Sequence, residues 1–353
     1  MARTRPQLEV IGGVDTHAAT HQGAVIDRNG RLFGCEQFPA TPTGYVALLS
    51  WMRSFGRLAR VGVEGTGAYG AGLARYLHHQ SVTVIEVPRP DRRLRRQAGK
   101  SDPIDAEAAA RAVLAGTATV EPKLSEGPIE AVRALRVARN GAIKAKTAAT
   151  NTLHSMVITA PESLRTQLPT RSGLALVTAC LRLRPDMTRL DDPVQATKAA
   201  LRSIALRARA LAIEARQLEG QLEALTRQVA PATTAVFALG PDTASALLVT
   251  IGDNPDRLRS EAAFAHLCGT APIPASSGKT NRHRLHRGGD RSANRALHIA
   301  VIVRLRYHQP TRAYAARRRS EGLSMPEIIR CLKRYMAREV FAALRTDYLA
   351  LTT

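Results

Sequence analysis

The chain has 353 residues and a formal net charge of +22, with 44% hydrophobic and 4% aromatic residues. That hydrophobic share makes it a globular protein, and the charge selects a polyanionic partner, nucleic acid before an acidic membrane surface. So few aromatics exclude a surface built mainly on base stacking. No apolar run reaches the roughly 18 residues that span a bilayer, and Met1 to Pro6 lacks the apolar core of a signal peptide. A reducing cytoplasm is the expected location. Cys35, Cys180, Cys268 and Cys331 are far apart, which gives neither a zinc site nor a disulfide framework.

Three short alternating bursts open the chain: Glu9 to Asp15, Gln22 to Asp27 and Arg31 to Phe38. Asn29-Gly30 between the last two is a hairpin signal. A helix is predicted from Thr43 to Phe55, a strand at Val61 to Glu64, a helix from Ala71 to His79 and a strand from Val82 to Val87. Asp102 to Leu114 is Ala-rich and strongly helical. Strands followed by alternating strands and helices predict a mixed α/β domain over residues 1–120.

Strand signals disappear from Gly127 to Val229. Leu201, Ile204, Ala208, Leu211, Ala215, Leu218, Leu222, Leu225 and Val229 repeat at alternating intervals of three and four, a heptad seam. It fits either one helix of an internal bundle or a coiled-coil arm that makes an oligomer or bridges two domains. Residues 121–230 thus form a helical middle region. Residues 231–353 read as helical again, interrupted by a Gly/Pro/Ser-rich loop from Gly269 to Gly289. Between Lys279 and Glu321 the one carboxylate is Asp290, set among many arginines.

Four acids carry the chemistry. Asp15 follows the apolar strand Val10 to Val14, and Glu64 closes Val61 to Val63. Asp102 and Asp105 lie three apart in Lys100-Ser101-Asp102-Pro103-Ile104-Asp105. Acids three apart share a helix face and can reach one cation. Helix capping by Ser101, with acids in the first turn, accounts for that pair equally well. Three segments supplying four acids to a basic chain point instead to a hard divalent cation beside a phosphodiester.

Ser276-Ser277-Gly278-Lys279-Thr280 ends like a phosphate-binding loop, yet its first glycine position is Ile273 and prolines flank it. A serine hydroxyl beside a flexible glycine and the cations Lys279 and Arg282 could instead attack a phosphodiester. A plain Ser/Gly surface loop is the alternative. His17 and His21 have H-x-x-x-H spacing but no adjacent glutamate, and fall in a strand-turn region, so they do not read as a zinc pair. Arg92, Arg93, Arg95, Arg96 and Lys100, with Lys279, Arg282, Arg284, Arg287 and Arg291, are candidate contacts to a nucleic-acid backbone. Ala238-Leu239-Gly240-Pro241-Asp242-Thr243 resembles a degraded helix-hairpin-helix, with Asp242 where a second glycine belongs, a weak signal.

Taken together, these segments resemble the DEDD-type transposases of the insertion-sequence family IS one-ten, the bridge-RNA-guided recombinases. The resemblance rests on Gly13-Val14-Asp15-Thr16, Glu64-Gly65-Thr66-Gly67-Ala68-Tyr69 and Lys100 to Ala106. It continues through Leu267-Cys268-Gly269-Thr270-Ala271-Pro272, Ser276-Ser277-Gly278, Gly288-Gly289-Asp290 and Asn294-Arg295-Ala296-Leu297. It implies an α/β RuvC-like RNase H fold at the N-terminus whose Asp15, Glu64, Asp102 and Asp105 hold Mg²⁺. It also implies a mostly α C-terminal transposase domain whose loop serine, Ser277 or its neighbour Ser276, becomes transiently joined to DNA. A non-coding guide RNA would choose the element ends and the target DNA; the heptad seam, for its part, suits a homodimer or tetramer. A RuvC-like nuclease without a covalent intermediate, or an inert basic binder, are the competing readings.

Overall fold

The computed structural model describes residues 8–88, 101–169, 173–254, 259–277 and 283–352. It divides into two compact units. Residues 1–127 with 251–264 form the first, and residues 128–250 with 265–353 form the second.

The first unit is a five-stranded mixed sheet in the order β3-β2-β1-β4-β5. Its strands are β1 (Glu9–Thr16), β2 (Thr20–Asp27), β3 (Leu32–Pro39), β4 (Arg57–Glu64) and β5 (Thr83–Val87). The first three form an antiparallel meander, and β4 runs parallel to both β1 and β5. The carboxylate of Asp27 accepts from the backbone N–H of Asn29 and Arg31, which shapes the turn the Asn-Gly pair announced. Helices α1 (Pro42–Ser54) and α2 (Ala71–His79) cover one face. There Leu48, Met52, Leu73 and Leu77 pack on Val10, Val14, Val61 and Val63. Helix α3 (Asp102–Leu114) covers the other, with Ala109, Ala110 and Val113 against Ile11, Ile26 and Ile85. A central strand covered on both faces has no polar side, so β1 is buried from Val10 to Thr16.

Gly13 and Gly62 set how closely α3 lies on the sheet. A Cβ at Gly13 would stand 2.1 Å from the Ala106 carbonyl oxygen, and one at Gly62 would stand 2.7 Å from that of Ala109. Only hydrogen fits at both positions, so the helix backbone rests directly on β1 and β4.

The second unit is helical. Helices α4 (Gly127–Ile158) and α7 (Pro193–Val229) run antiparallel. Arg139 pairs with Glu219 at 2.9 Å at one end. At the other, Leu153 and Val157 cluster with Leu201, Ala205 and the helices α5 (Glu162–Arg165) and α6 (Leu174–Leu181). Between these anchors the buried side chains are alanines, 142 and 149 on α4 and 208 and 215 on α7, so the helices approach closely.

Helices α8 (Pro231–Ala235), α9 (Pro241–Ile251), α10 (Glu261–Leu267), α11 (Arg291–Tyr307), α12 (Gln309–Ser320) and α13 (Met325–Thr352) complete the chain. Asp347, almost wholly buried, accepts from the N–H groups of Ala232 and Thr233 and from the Thr233 hydroxyl, and so caps α8. Asp242, the residue that departs from the helix-hairpin-helix pattern, accepts from Arg136 at 2.9 Å and Arg139 at 3.0 Å. The segment is therefore a brace between α9 and α4. In the loop after α10, a two-residue pairing joins β6 (Ile273–Pro274) to β7 (His283–Arg284), where no strand signal is visible in the residues. No helix among the described residues is long and apolar enough to cross a membrane.

Candidate functional site

Asp15 and Glu64 come together through strand register. β1 and β4 pair in parallel up to Val14 and Val63, so the acids stand side by side one residue further on. Val14 and Val63 point into the core under α1 and α2. Strand alternation then turns Asp15 and Glu64 to the opposite face, where Gly13 and Gly62 receive α3. The Thr16 hydroxyl donates to the Glu64 carbonyl at 2.8 Å and ties the two strand ends. Both acids are buried, each 7% exposed.

Helix α3 contributes the other pair. Ser101 is its N-cap by backbone conformation, but its side chain makes no capping hydrogen bond. Asp102 is engaged elsewhere: its Oδ1 lies 3.4 Å from His17 Nε2, which is also 3.1 Å from Asp15 Oδ2. Donor atoms of Asp15, His17 and Asp102 all lie within 4.8 Å of one another, a grouping that could hold a metal ion. Asp105, one turn along the same face, is as buried as Asp15. The positive end of α3 offsets part of the repulsion among these carboxylates.

Sequence spacing sets His17 aside as half of a rejected zinc pair, whereas the fold brings it to two of the acids. Its partner in the H-x-x-x-H spacing, His21, is fully buried and stacked on Tyr45 at 5.6 Å. Burial pushes the His21 pKa below its ordinary value, so this ring is a neutral core group.

The serine loop belongs to the second unit. Ser276 and Ser277 follow β6 and are both exposed. The base of the loop is stitched shut by the glycine, aspartate and asparagine singled out in the sequence. Asp290 N–H donates to the Leu267 carbonyl at 2.7 Å, and its carboxylate caps α11 by accepting from Ser292 and Ala293. Asn294 Nδ2 donates to the carbonyls of Cys268 at 2.8 Å and Gly269 at 3.0 Å. A Cβ at Gly289 would stand 2.6 Å from the Gly269 nitrogen, so the two loop ends touch backbone to backbone.

Arg284, Arg287 and Arg291 are exposed on or just after the loop. Arg92, Arg93, Arg95, Arg96, Lys100, Lys279 and Arg282 lie outside the described residues. The acids are thus gathered in the first unit, and the candidate nucleophile is carried by the second.

Two family profiles match this chain. Residues 12–160 match that of the DEDD transposases of IS110 type, described as transposase, and residues 234–316 match the transposase IS116/IS110/IS902 family. Together they take in about two thirds of the chain. A protein of insertion element IS110 from Streptomyces coelicolor is 34% identical over 134 residues, covering 37% of this chain and 33% of that relative. The match thus spans about a third of the relative's length.

Proposed function

Because the chain belongs to the IS110 family of transposases, we propose that it cuts and rejoins DNA strands to excise and insert an insertion sequence. One observation carries this reading: donor atoms of Asp15, His17 and Asp102 converge within 4.8 Å, with buried Glu64 one strand over from Asp15 and buried Asp105 one turn after Asp102, in a chain of net charge +22. The donors are chiefly carboxylate oxygens, which suit a hard divalent cation, magnesium on this reading. Asp15, Glu64, Asp102 and Asp105 would hold it. When bound it would polarise the scissile phosphodiester and the attacking oxygen. An antiparallel meander joined to parallel strands in the order 3-2-1-4-5 supports a RuvC-like RNase H assignment for the catalytic part. We place its boundary near residue 120 and the end of the helical middle near residue 230.

In the reaction we propose, the Ser277 oxygen attacks phosphorus. An Oγ–P bond forms, the bond from phosphorus to one sugar oxygen breaks, and that oxygen takes up the proton the serine loses. The ester keeps the bond energy, so a second sugar hydroxyl displaces the serine without ATP. Ser276 is the neighbouring alternative. The exposed Arg284, Arg287 and Arg291 would hold phosphates, as would the basic residues before Asp102. Guide RNA and a dimer or tetramer belong to the same proposal. The half-buried Ile204, Leu211, Leu218 and Leu225 on α7 support a further helical partner.

The test is incubation of the protein with Mg²⁺, the element's ends and its flanking transcript, followed by a denaturing gel. The expected product is a DNA-linked protein that Ser277→Ala abolishes, while Asp15→Ala lowers cleavage at least roughly a hundredfold. Cleavage that persists in Ser277→Ala without an adduct would replace the recombinase by a nuclease. An Asp15→Ala protein as active as the parent would leave only a binder.

A further inference from the structure

The β6–β7 hairpin that bears the serine loop forms one wall of a cavity of about 760 Å³ in the second unit. The facing wall is the start of α13, with Arg330, Lys333, Arg334 and Tyr335, joined by Arg318 of α12. Arg318 pairs with Glu321, and Arg330 lies 3.9 Å from Glu327. Glu327 is the one carboxylate among these lining residues, and it already accepts from the N–H and hydroxyl of Ser324.

Lys333 is the decisive group. It is 8% exposed, and its ammonium donates to the amide oxygen of Asn294 at 2.8 Å. Among the described residues no carboxylate pairs with it, and burial together with Arg330 holds its pKa below the usual lysine value. A buried cation without a counter-ion is unfavourable, and an anion entering the cavity would remove that penalty. Two further nitrogens of the lining, His286 Nδ1 and Arg318 Nε, are buried with no hydrogen-bond partner.

The cavity is far larger than a phosphate and falls in the size range of small-ligand pockets. Its remaining surface suits a ring: Tyr335 and Leu285 are each about half exposed, and Leu323 lies beside them. We propose that the cavity receives one unpaired nucleotide of a DNA strand, its phosphate against Lys333 and Arg334 and its base against Tyr335 and Leu323. The identity of the strand rests on the transposase reading; the anion site stands on the cavity alone. A base can enter only when it is out of the duplex, so the pocket selects an opened strand next to the serine loop.

Cys331 lines the same cavity, whereas Cys35 lies in the first unit. Alkylation of the full-length protein, read peptide by peptide by mass spectrometry, therefore locates the ligand. A short single-stranded DNA is expected to slow Cys331 alkylation and leave Cys35 unchanged, and a duplex of the same length is expected to protect neither. Fluorescence anisotropy with the same strand should show roughly tenfold weaker binding in Lys333→Met, the scale of one charge-assisted phosphate contact. Arg334→Gln, which leaves the Lys333–Asn294 bond in place, should weaken it in the same direction. Neither readout involves a cutting step, so a protein that fails to cleave still gives an answer. The proposal is overturned by equal protection from duplex, by better protection from single-stranded RNA, or by unchanged affinity in both variants.

Discussion

His17 Nε2 lies 3.1 Å from Asp15 and 3.4 Å from Asp102, so this one imidazole acts on carboxylates from two separate segments. Replacing it should be felt in cation binding before it is felt in the fold, since the ring is about half exposed. His17→Ala is expected to lower affinity for Mg²⁺ by roughly tenfold in titration calorimetry, the scale found for groups that orient metal ligands. Unchanged affinity would remove His17 from the set. Spacing concealed this residue for a definite reason. Two histidines four apart share a face on an unbroken helix or strand; here a turn separates them, and one meets the acids while the other stacks in the core. The acids themselves were legible because each sits at a strand end or helix start that the apolar pattern marks. The missing side-chain cap at Ser101 could be seen only in three dimensions.

At the level of elements, α3 matters most because it carries half of the acids and rests on bare backbone. Gly13→Ala would force a methyl group against the Ala106 carbonyl and the Ala110 nitrogen. A cost of about 1–3 kcal/mol is expected for such overpacking, measurable by urea denaturation, with Mg²⁺ affinity falling in parallel. A variant of parental stability would show that the helix can lift without loss. Asp242 sets a second joint, between α9 and α4. Asp242→Ala deprives two mostly buried guanidiniums, Arg136 and Arg139, of their shared acceptor. A loss of about 1–3 kcal/mol in the same denaturation experiment is expected, reduced toward the lower end by the half exposure of Asp242. A freely exposed aspartate would give none. Helix limits at Ala71–His79 and Asp102–Leu114 followed directly from composition and punctuation. The β6–β7 pairing did not, because Pro272 and Pro274 argue against a strand and its two-residue ladder depends on loop ends brought together by Asn294 and Asp290. The sense of Asp242 was hidden likewise, since its partners lie more than a hundred residues away.

Across the whole molecule, the cysteines report on compactness. Burial pushes the Cys180 thiol up to about 11 from an ordinary value of 9.0, and Cys268 is raised too. A pKa raised by folding favours the native state while the thiol is neutral. That contribution is complete below pH 9 and lost as pH climbs through about 11. The urea midpoint should therefore fall over this window, less steeply in Cys180→Ala. An identical slope in both proteins would show that Cys180 is not held neutral by the fold. The two units were less legible than their elements. Residues 251–264 group with the N-terminal sheet although they lie far along the chain, a return that hydrophobic periodicity does not encode.

The glycine-bedded seat of α3 has a temporal consequence. A ribosome has released Asp15 and Glu64 well before residues 102–105 are made, and those two side chains by themselves are only half of the four acids. The set is completed when the Ala-rich helix settles onto Gly13 and Gly62, a step that needs the sheet already formed. A nascent or half-unfolded chain therefore lacks the grouping of Asp15, His17 and Asp102, which arrives together with the finished sandwich.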